Sequence, residues 1–204
     1  MPGEKAPEEQ RRSEILRAAF AIAARDGLDG LTIREVALKA GLSTGLVLFH
    51  FTSKEQLIVA LLDWVLATTT VLYMTDDVAA IVSPFERLTT LLQREMHRLS
   101  SEPARMRVFF EFWVTGFRHR QIRGKMQAEL DRYRDAFRPI VAEVLRTEPD
   151  RFANVSAEGL SALAVSLIKG CAVQSMIDPK NFDIEEYLAA VNGLVGQLET
   201  IAPN

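Results

Sequence analysis

The sequence predicts an all-α fold, an N-terminal three-helix domain containing a helix-turn-helix followed by a larger C-terminal helical domain. Three observations predict it. Apolar residues recur three and four positions apart along most of the chain, capping signatures punctuate that pattern, and no stretch alternates as a half-buried strand would. The expected boundary places the helix-turn-helix domain in residues 1–56 and the second domain in residues 57–204.

The first helix is read from Ile15, Leu16, Ala19, Phe20 and Ala23, and Gly27 suits its end because glycine tolerates positive φ. Thr32 precedes Glu35 by three, a capping box, and Ile33, Val36, Ala37 and Ala40 form a short apolar stripe. Gly41 permits a sharp turn, and Ser43 caps a short helix that turns Leu46 and Val47 inward and ends near Phe51. Ser53 with Gln56 opens the next helix, which runs through Ile58, Leu61, Leu62 and Val65 towards Leu72. Asp76, Asp77 and Ser83 mark a loop, after which Pro84 starts a helix lined by Phe85, Leu88, Leu92, Met96 and Leu99. Pro103 breaks it. An aromatic helix carries Phe109, Phe110, Phe112, Trp113 and Phe117, and its apolar residues on nearly all sides predict burial. A longer helix is expected over 121–146, and two more over 156–177 and 183–201, the last capped by Asp183.

Composition narrows the function. With 48% apolar and 25% charged residues, the 204-residue chain reads as a soluble globular protein. The polar start has no apolar core of a signal peptide, and no apolar run approaches the roughly 20 residues that span a bilayer. A single cysteine, Cys171, excludes an internal disulfide framework and fits a reducing, cytoplasmic location; its place on the stripe of Leu160, Leu163, Ala164, Leu167 and Ile168 reads as a buried, inert thiol. There is no glycine-rich phosphate loop and no metal-spaced cluster, since His50, His97 and His119 stand far apart; no enzyme, cofactor or metal is expected. A net charge of −3 means that any contact with nucleic acid is local.

The order helix, tight turn, short helix, capped helix is how a DNA-reading helix-turn-helix is presented. Residues 12–57 resemble the TetR family of bacterial transcriptional repressors, through Gly27, Thr32, Ile33, Val36, Ala37, Gly41, Ser43, Gly45, Phe49, His50, Phe51, Ser53, Lys54 and Leu57. The run from Ile168 through Gln174 to Pro179 is similar to that family's penultimate helix. Arg107, Phe109, Phe112 and Trp113, with Ser43-Thr44-Gly45, resemble its BetI-like branch, which includes choline-responsive repressors. The resemblance implies a ligand-responsive repressor that binds a palindromic double-stranded operator as a homodimer and does not associate with a membrane.

Residue roles follow from chemistry and from that resemblance. Hydroxyls at helix N-termini suit phosphates, which selects Thr32 and Ser43. Lys54 matches the family's phosphate-binding lysine, and His50 can donate from a ring nitrogen. Arg34, Thr44, Gly45 and Leu46 are expected to face the major groove, Arg34 for guanine or phosphate, Thr44 and Leu46 for a thymine methyl, Gly45 for close approach. Leu48 stands where the family usually has tyrosine, and Phe49 often does too, so two phosphate-bonding hydroxyls are missing. Those losses sustain an alternative, a helical small-molecule-binding or adaptor protein that has lost specific DNA binding.

The last two helices combine an apolar face with a smooth one. Gly159, Ala162, Ser166 and Gly170 lie together on the first, Ala189, Gly193 and Gly196 on the second, where Leu188, Val191, Val195 and Leu198 pack. Helix glycines cost about 1 kcal/mol relative to alanine, so their presence predicts close helix approach in a four-helix dimer interface. For the effector, polar residues on apolar stripes are informative: Glu95, Glu129 and Gln174. A buried carboxylate needs a partner, which Arg94, Arg98 or Arg118 can supply. The sharper expectation is a cavity lined by Phe110, Trp113, Phe117 and Tyr133 with a carboxylate at one end, suited to an organic cation.

Overall fold

The computed structural model describes residues 8–69 and 74–196, and among them every regular element is a helix: α1 (Glu8–Asp26), α2 (Ile33–Ala40), α3 (Thr44–His50), α4 (Lys54–Ala67), α5 (Asp76–Ala79), α6 (Pro84–Ser100), α7 (Pro103–Gly116), α8 (Arg120–Thr147), α9 (Ala157–Ile177) and α10 (Ile184–Gly196). Leu72, Leu198 and Ile201 lie outside the described residues, as do the surroundings of Val195 and Gly196. The chain divides into two compact units, Met1–Thr69 with Arg107–Met126, and Thr70–Met106 with Gln127–Asn204.

The first unit is built on α1, against which α2 and α4 pack, while α3 packs on α2. Ile15, Ala19, Ala23, Val36, Val47, Leu57, Leu61 and Leu62 form its core. Gly27 and Gly41 adopt φ of +79° and +67°, the left-handed turns that end α1 and α2. The α1–α2 turn is also held from α7, because Glu111 Oε2 accepts from the Leu28 amide at 2.5 Å and Arg107 donates to the Ala24 carbonyl at 3.2 Å. Glu111→Ala is expected to destabilise this unit by about 1–2 kcal/mol and to speed hydrogen exchange at the Leu28 amide selectively.

In the second unit α6 packs on α9, and α10 packs on both. Arg87 ties α6 to α8 through Glu143 at 3.1 Å. Pro139 lies within α8, which nevertheless continues to Thr147. Three expectations need correction. Asp76–Ala79 is one helical turn instead of loop. The aromatic α7 is not buried all round: Phe109 and Phe112 are covered, but Val114 is exposed, and Phe117, beyond the helix end, is 70% exposed. Finally, α9 is long and apolar enough by length and composition alone to cross a membrane; α3 and α4 pass that test only when joined across a 64° bend. Within this fold α9 is a core helix that buries Ala164, Val165, Ile168 and Ala172.

Candidate functional site

Local chemistry builds the outward surface of α2 and α3. Thr32 Oγ1 accepts from the Glu35 amide and Ser43 Oγ from the Leu46 amide, each at 3.1 Å. A hydroxyl that accepts in this way still has its own hydrogen to donate, so capping and phosphate binding are compatible in one side chain. Val47 and Phe51 are buried and anchor α3, while Thr32, Arg34, Ser43, Thr44, Gly45 and Phe49 are exposed and Leu46 is half-buried. Among the described residues, a Cβ added at Gly45 has Ser43 Oγ nearest, at 3.9 Å, so the first turn of α3 is open at this point.

The end of α3 is fixed by a residue outside the predicted set. Arg12 donates to the His50 carbonyl at 2.7 Å and stacks 4.4 Å from the Phe51 ring centroid. No local signal marks this, since the partners are 38 residues apart. Among the described residues His50 Nδ1 is buried with no hydrogen-bond partner, which leaves Nε2 as the ring nitrogen able to meet an outside acceptor. Lys54, half-buried in the first turn of α4, lies 3.5 Å from the Asp29 carbonyl. Leu48 and Phe49 present apolar surface, 43% and 76% exposed.

The second unit holds a buried charge cluster. Glu95 on α6 accepts from Arg98 through both oxygens, at 2.6 and 2.8 Å, and from the Tyr133 hydroxyl at 2.8 Å. Glu129 on α8 pairs with Arg132 at 2.9 Å. Both glutamates are therefore buried with the arginine three positions onward as partner, Arg98 being one of the three proposed from sequence. Arg94 instead bonds Asp77.

Lys169 escaped the sequence reading. Its Nζ sits 4.0 Å from the Tyr133 ring centroid, and the residue is buried on α9. The available signal was a lysine on the helix side set by Val165 and Ala172. Burial pushes its ammonium down to about 8, against the opposing pull of Glu95 and Glu129. Burial, reinforced by the Glu95 charge, pushes Tyr133 up. Between pH 8 and 10 the unfolded chain thus holds a proton at Lys169 that the folded chain has lost, so stability rises with pH; above the ordinary tyrosine range Tyr133 reverses the slope. The stability difference between the unsubstituted chain and Lys169→Met, read by urea unfolding, should grow by about 2 kcal/mol from about pH 7.5 to about pH 9.5, the opposing loss from the raised Cys171 thiol being common to both.

The remaining predicted residues are not gathered into one described site. Phe110, Trp113 and Phe117 belong to the first unit, where Phe110 and Trp113 rings lie 6.1 Å apart, whereas Glu95, Glu129, Tyr133 and Gln174 belong to the second. Gln174 is exposed, because it lies to the side of the buried stripe that Cys171 and Ala172 continue. Cys171 is fully buried, and burial pushes its thiol up, so it stays protonated. On α9 and α10, Gly159, Ser166, Ala189 and Gly193 are exposed and Ala162 and Gly170 half-buried, beside the exposed Leu163 and Leu194. Among the described residues, nothing lies within 4 Å of a Cβ built at Gly193.

Known proteins resemble this chain in sequence and fold. The profile of the tetR family of bacterial regulatory proteins matches residues 15–61, and that of the BetI-type transcriptional repressor C-terminal domain matches residues 84–198. The HTH-type transcriptional regulator BetI of Cronobacter sakazakii is 24% identical over 86% of this chain and 84% of its own; BetI of Burkholderia mallei is 25% identical over 93% and 94%. A transcriptional regulator from Rhodococcus sp. Rha1 superposes with a TM-score of 0.70 at 20% identity, covering 92% of this chain and 95% of that one. One from Saccharomonospora viridis, crystallised in complex with choline, gives 0.69 at 19%, covering 92% and 96%.

Proposed function

This chain belongs to the TetR family of bacterial transcriptional regulators, with the C-terminal domain of a BetI-type repressor, and we propose how its residues divide that work. Residues 1–56 read a palindromic operator and residues 57–204 sense a small molecule and join two copies. Thr32, Ser43, His50 and Lys54 hold phosphates, Arg34, Thr44, Gly45 and Leu46 face the groove, and Phe49 lies against the DNA without a phosphate-bonding hydroxyl. The observation that carries this is the exposed first turn of α3, backed by the buried Val47 and Phe51. The exposed small-residue faces of α9 and α10, with Leu163 and Leu194, pair across a two-fold axis. Pairing places two α3 helices about 34–36 Å apart, one helical turn of DNA.

The effector site lies in the second unit around Glu95, Tyr133 and Glu129. An effector lowers operator affinity by the coupling free energy between the sites, and the operator lowers effector affinity by the same factor. The choline bound by the Saccharomonospora viridis regulator supports a small organic ligand here as well. Operator selected from random duplexes and titrated by fluorescence anisotropy tests the assignment. Lys54→Ala should weaken binding to all sequences alike and reduce the log–log salt slope by about 1. An unchanged slope removes Lys54 from the interface.

Exposed Leu48 and Phe49 favour a second reading, docking of a protein partner by a chain that no longer binds DNA specifically. Absence of any selected duplex at low salt is the result this reading requires.

A further inference from the structure

Beside the start of α4 the first unit has a cleft of about 400 Å³, within the range of about 300–1,000 Å³ that small-molecule sites occupy. Its walls come from the α1–α2 turn, the first turns of α4 and the passage from α7 into α8, all within that unit. Leu28 and Ile122, both buried, and Ile58 and Val59, half-buried on α4, give it an apolar wall. Lys54 is half-buried there, while the other charged lining residues are exposed. Its ammonium can donate three hydrogen bonds, yet its described partner is the Asp29 carbonyl at 3.5 Å, the outer limit of such a bond. Among the described residues the Arg120 guanidinium, also on the cleft, has no ion-pair or hydrogen-bond partner. The two acids weigh less. The Glu55 carboxylate turns back to its own amide and to Ser53, which hold it below the usual carboxylate range, and Asp29 is exposed, where solvent and salt screen it. A second cleft, of about 370 Å³, shares Glu55, Val59 and Gln121 with the first and reaches His50. Lys54 and His50, both assigned to DNA phosphates, thus border clefts that meet on α4.

We propose that the cleft beside Lys54 is a second small-molecule site, for an organic carboxylate with an apolar body, and that the bound carboxylate competes with the operator backbone for Lys54. The site is separate from the effector site of the second unit, and only the competition rests on the reading of Lys54 as a phosphate contact. The Lys54 ammonium receives the carboxylate with Arg120 beside it, and the apolar body covers Ile58, Val59 and Ile122. A cation of the same shape gains the apolar contact but meets like charge from Lys54 and Arg120. A carboxylate paired with Lys54 neutralises the charge that would otherwise release counter-ions from a phosphate, so occupancy of the cleft and of the operator oppose each other.

NMR of the methyl-labelled full chain tests the site, with 4-phenylbutyrate, its uncharged amide and 4-phenylbutylamine as probes. The acid should shift the Ile58, Val59 and Ile122 methyl resonances along saturable curves, and the amide and amine should bind about tenfold more weakly or less. Lys54→Gln should weaken the acid about fivefold, and Arg120→Gln about threefold. At saturating acid the operator Kd should rise about fivefold, an effect that the amine hydrochloride at equal concentration does not produce and that Lys54→Gln abolishes. No saturable shift, equal affinity for acid and amine, or an acid affinity unchanged in Lys54→Gln overturns the site. Arg120→Gln takes that place if Lys54→Gln does not fold. An operator Kd unmoved by saturating acid overturns the competition. If no duplex binds at all, the assignment of the reading surface fails, while the methyl titration still decides the cleft.

Discussion

Replacing Gly45 with glutamate should raise the stability of the first unit slightly while lowering operator affinity about 100-fold or more. The two effects have separate causes. Gly45 is the second residue of α3, after the cap Ser43 and Thr44, where a negative side chain interacts favourably with the helix dipole. Any side chain also removes the backbone freedom of glycine, worth about 0.5–1 kcal/mol in a helix. Among the described residues the folded chain offers little obstacle, since the nearest atom beyond the neighbouring residues and the helix backbone is Ser43 Oγ, 3.9 Å from an added Cβ. Against DNA the same side chain adds bulk where the helix must come close and a charge that phosphates repel. Chemical denaturation and anisotropy titration should therefore move in opposite directions. If operator affinity holds within about twofold, the first turn of α3 does not enter the groove.

Such a test was legible from sequence because capping is local chemistry. A serine or threonine beside an apolar stripe accepts from an amide three residues on, and Thr32, Ser43, Ser53 and Ser83 all do so. The Asp183 carboxylate likewise caps α10 by accepting from the Glu185 and Glu186 amides. The buried glutamates were equally visible, as charges placed on an apolar stripe. What periodicity does not set is the width of a stripe. Leu163 and Gln174 share α9 with the buried Ile168 and Cys171, yet both are exposed, because burial depends on which neighbour covers each side. Phe117 misled for a related reason, since an aromatic residue announces apolar area but not its partner. Arg12 and Lys169 are more remote still: the carbonyl and ring they meet lie 38 and 36 residues away, at distances only the fold can close.

Arg98→Met should destabilise the second unit by about 3–5 kcal/mol. Glu95 is 4% exposed, and without Arg98 its carboxylate keeps one described donor, the Tyr133 hydroxyl. A buried charge stripped of its counter-ion retains the full desolvation penalty with little to offset it. Lys169, 4.0 Å from the centre of the Tyr133 ring, moderates the loss without replacing two short guanidinium bonds. Adding Glu95→Leu to Arg98→Met should restore most of the stability, since an apolar pair replaces an ion pair at little net cost; the remaining deficit belongs to Tyr133, left without its acceptor. The double-mutant cycle in urea measures the coupling directly. Arg94→Met supplies the comparison: its pair with Asp77 is exposed, so its removal should barely register. Equal losses for Arg94→Met and Arg98→Met would mean that the Glu95 site is solvated, and with that the buried field assigned to the effector site would disappear.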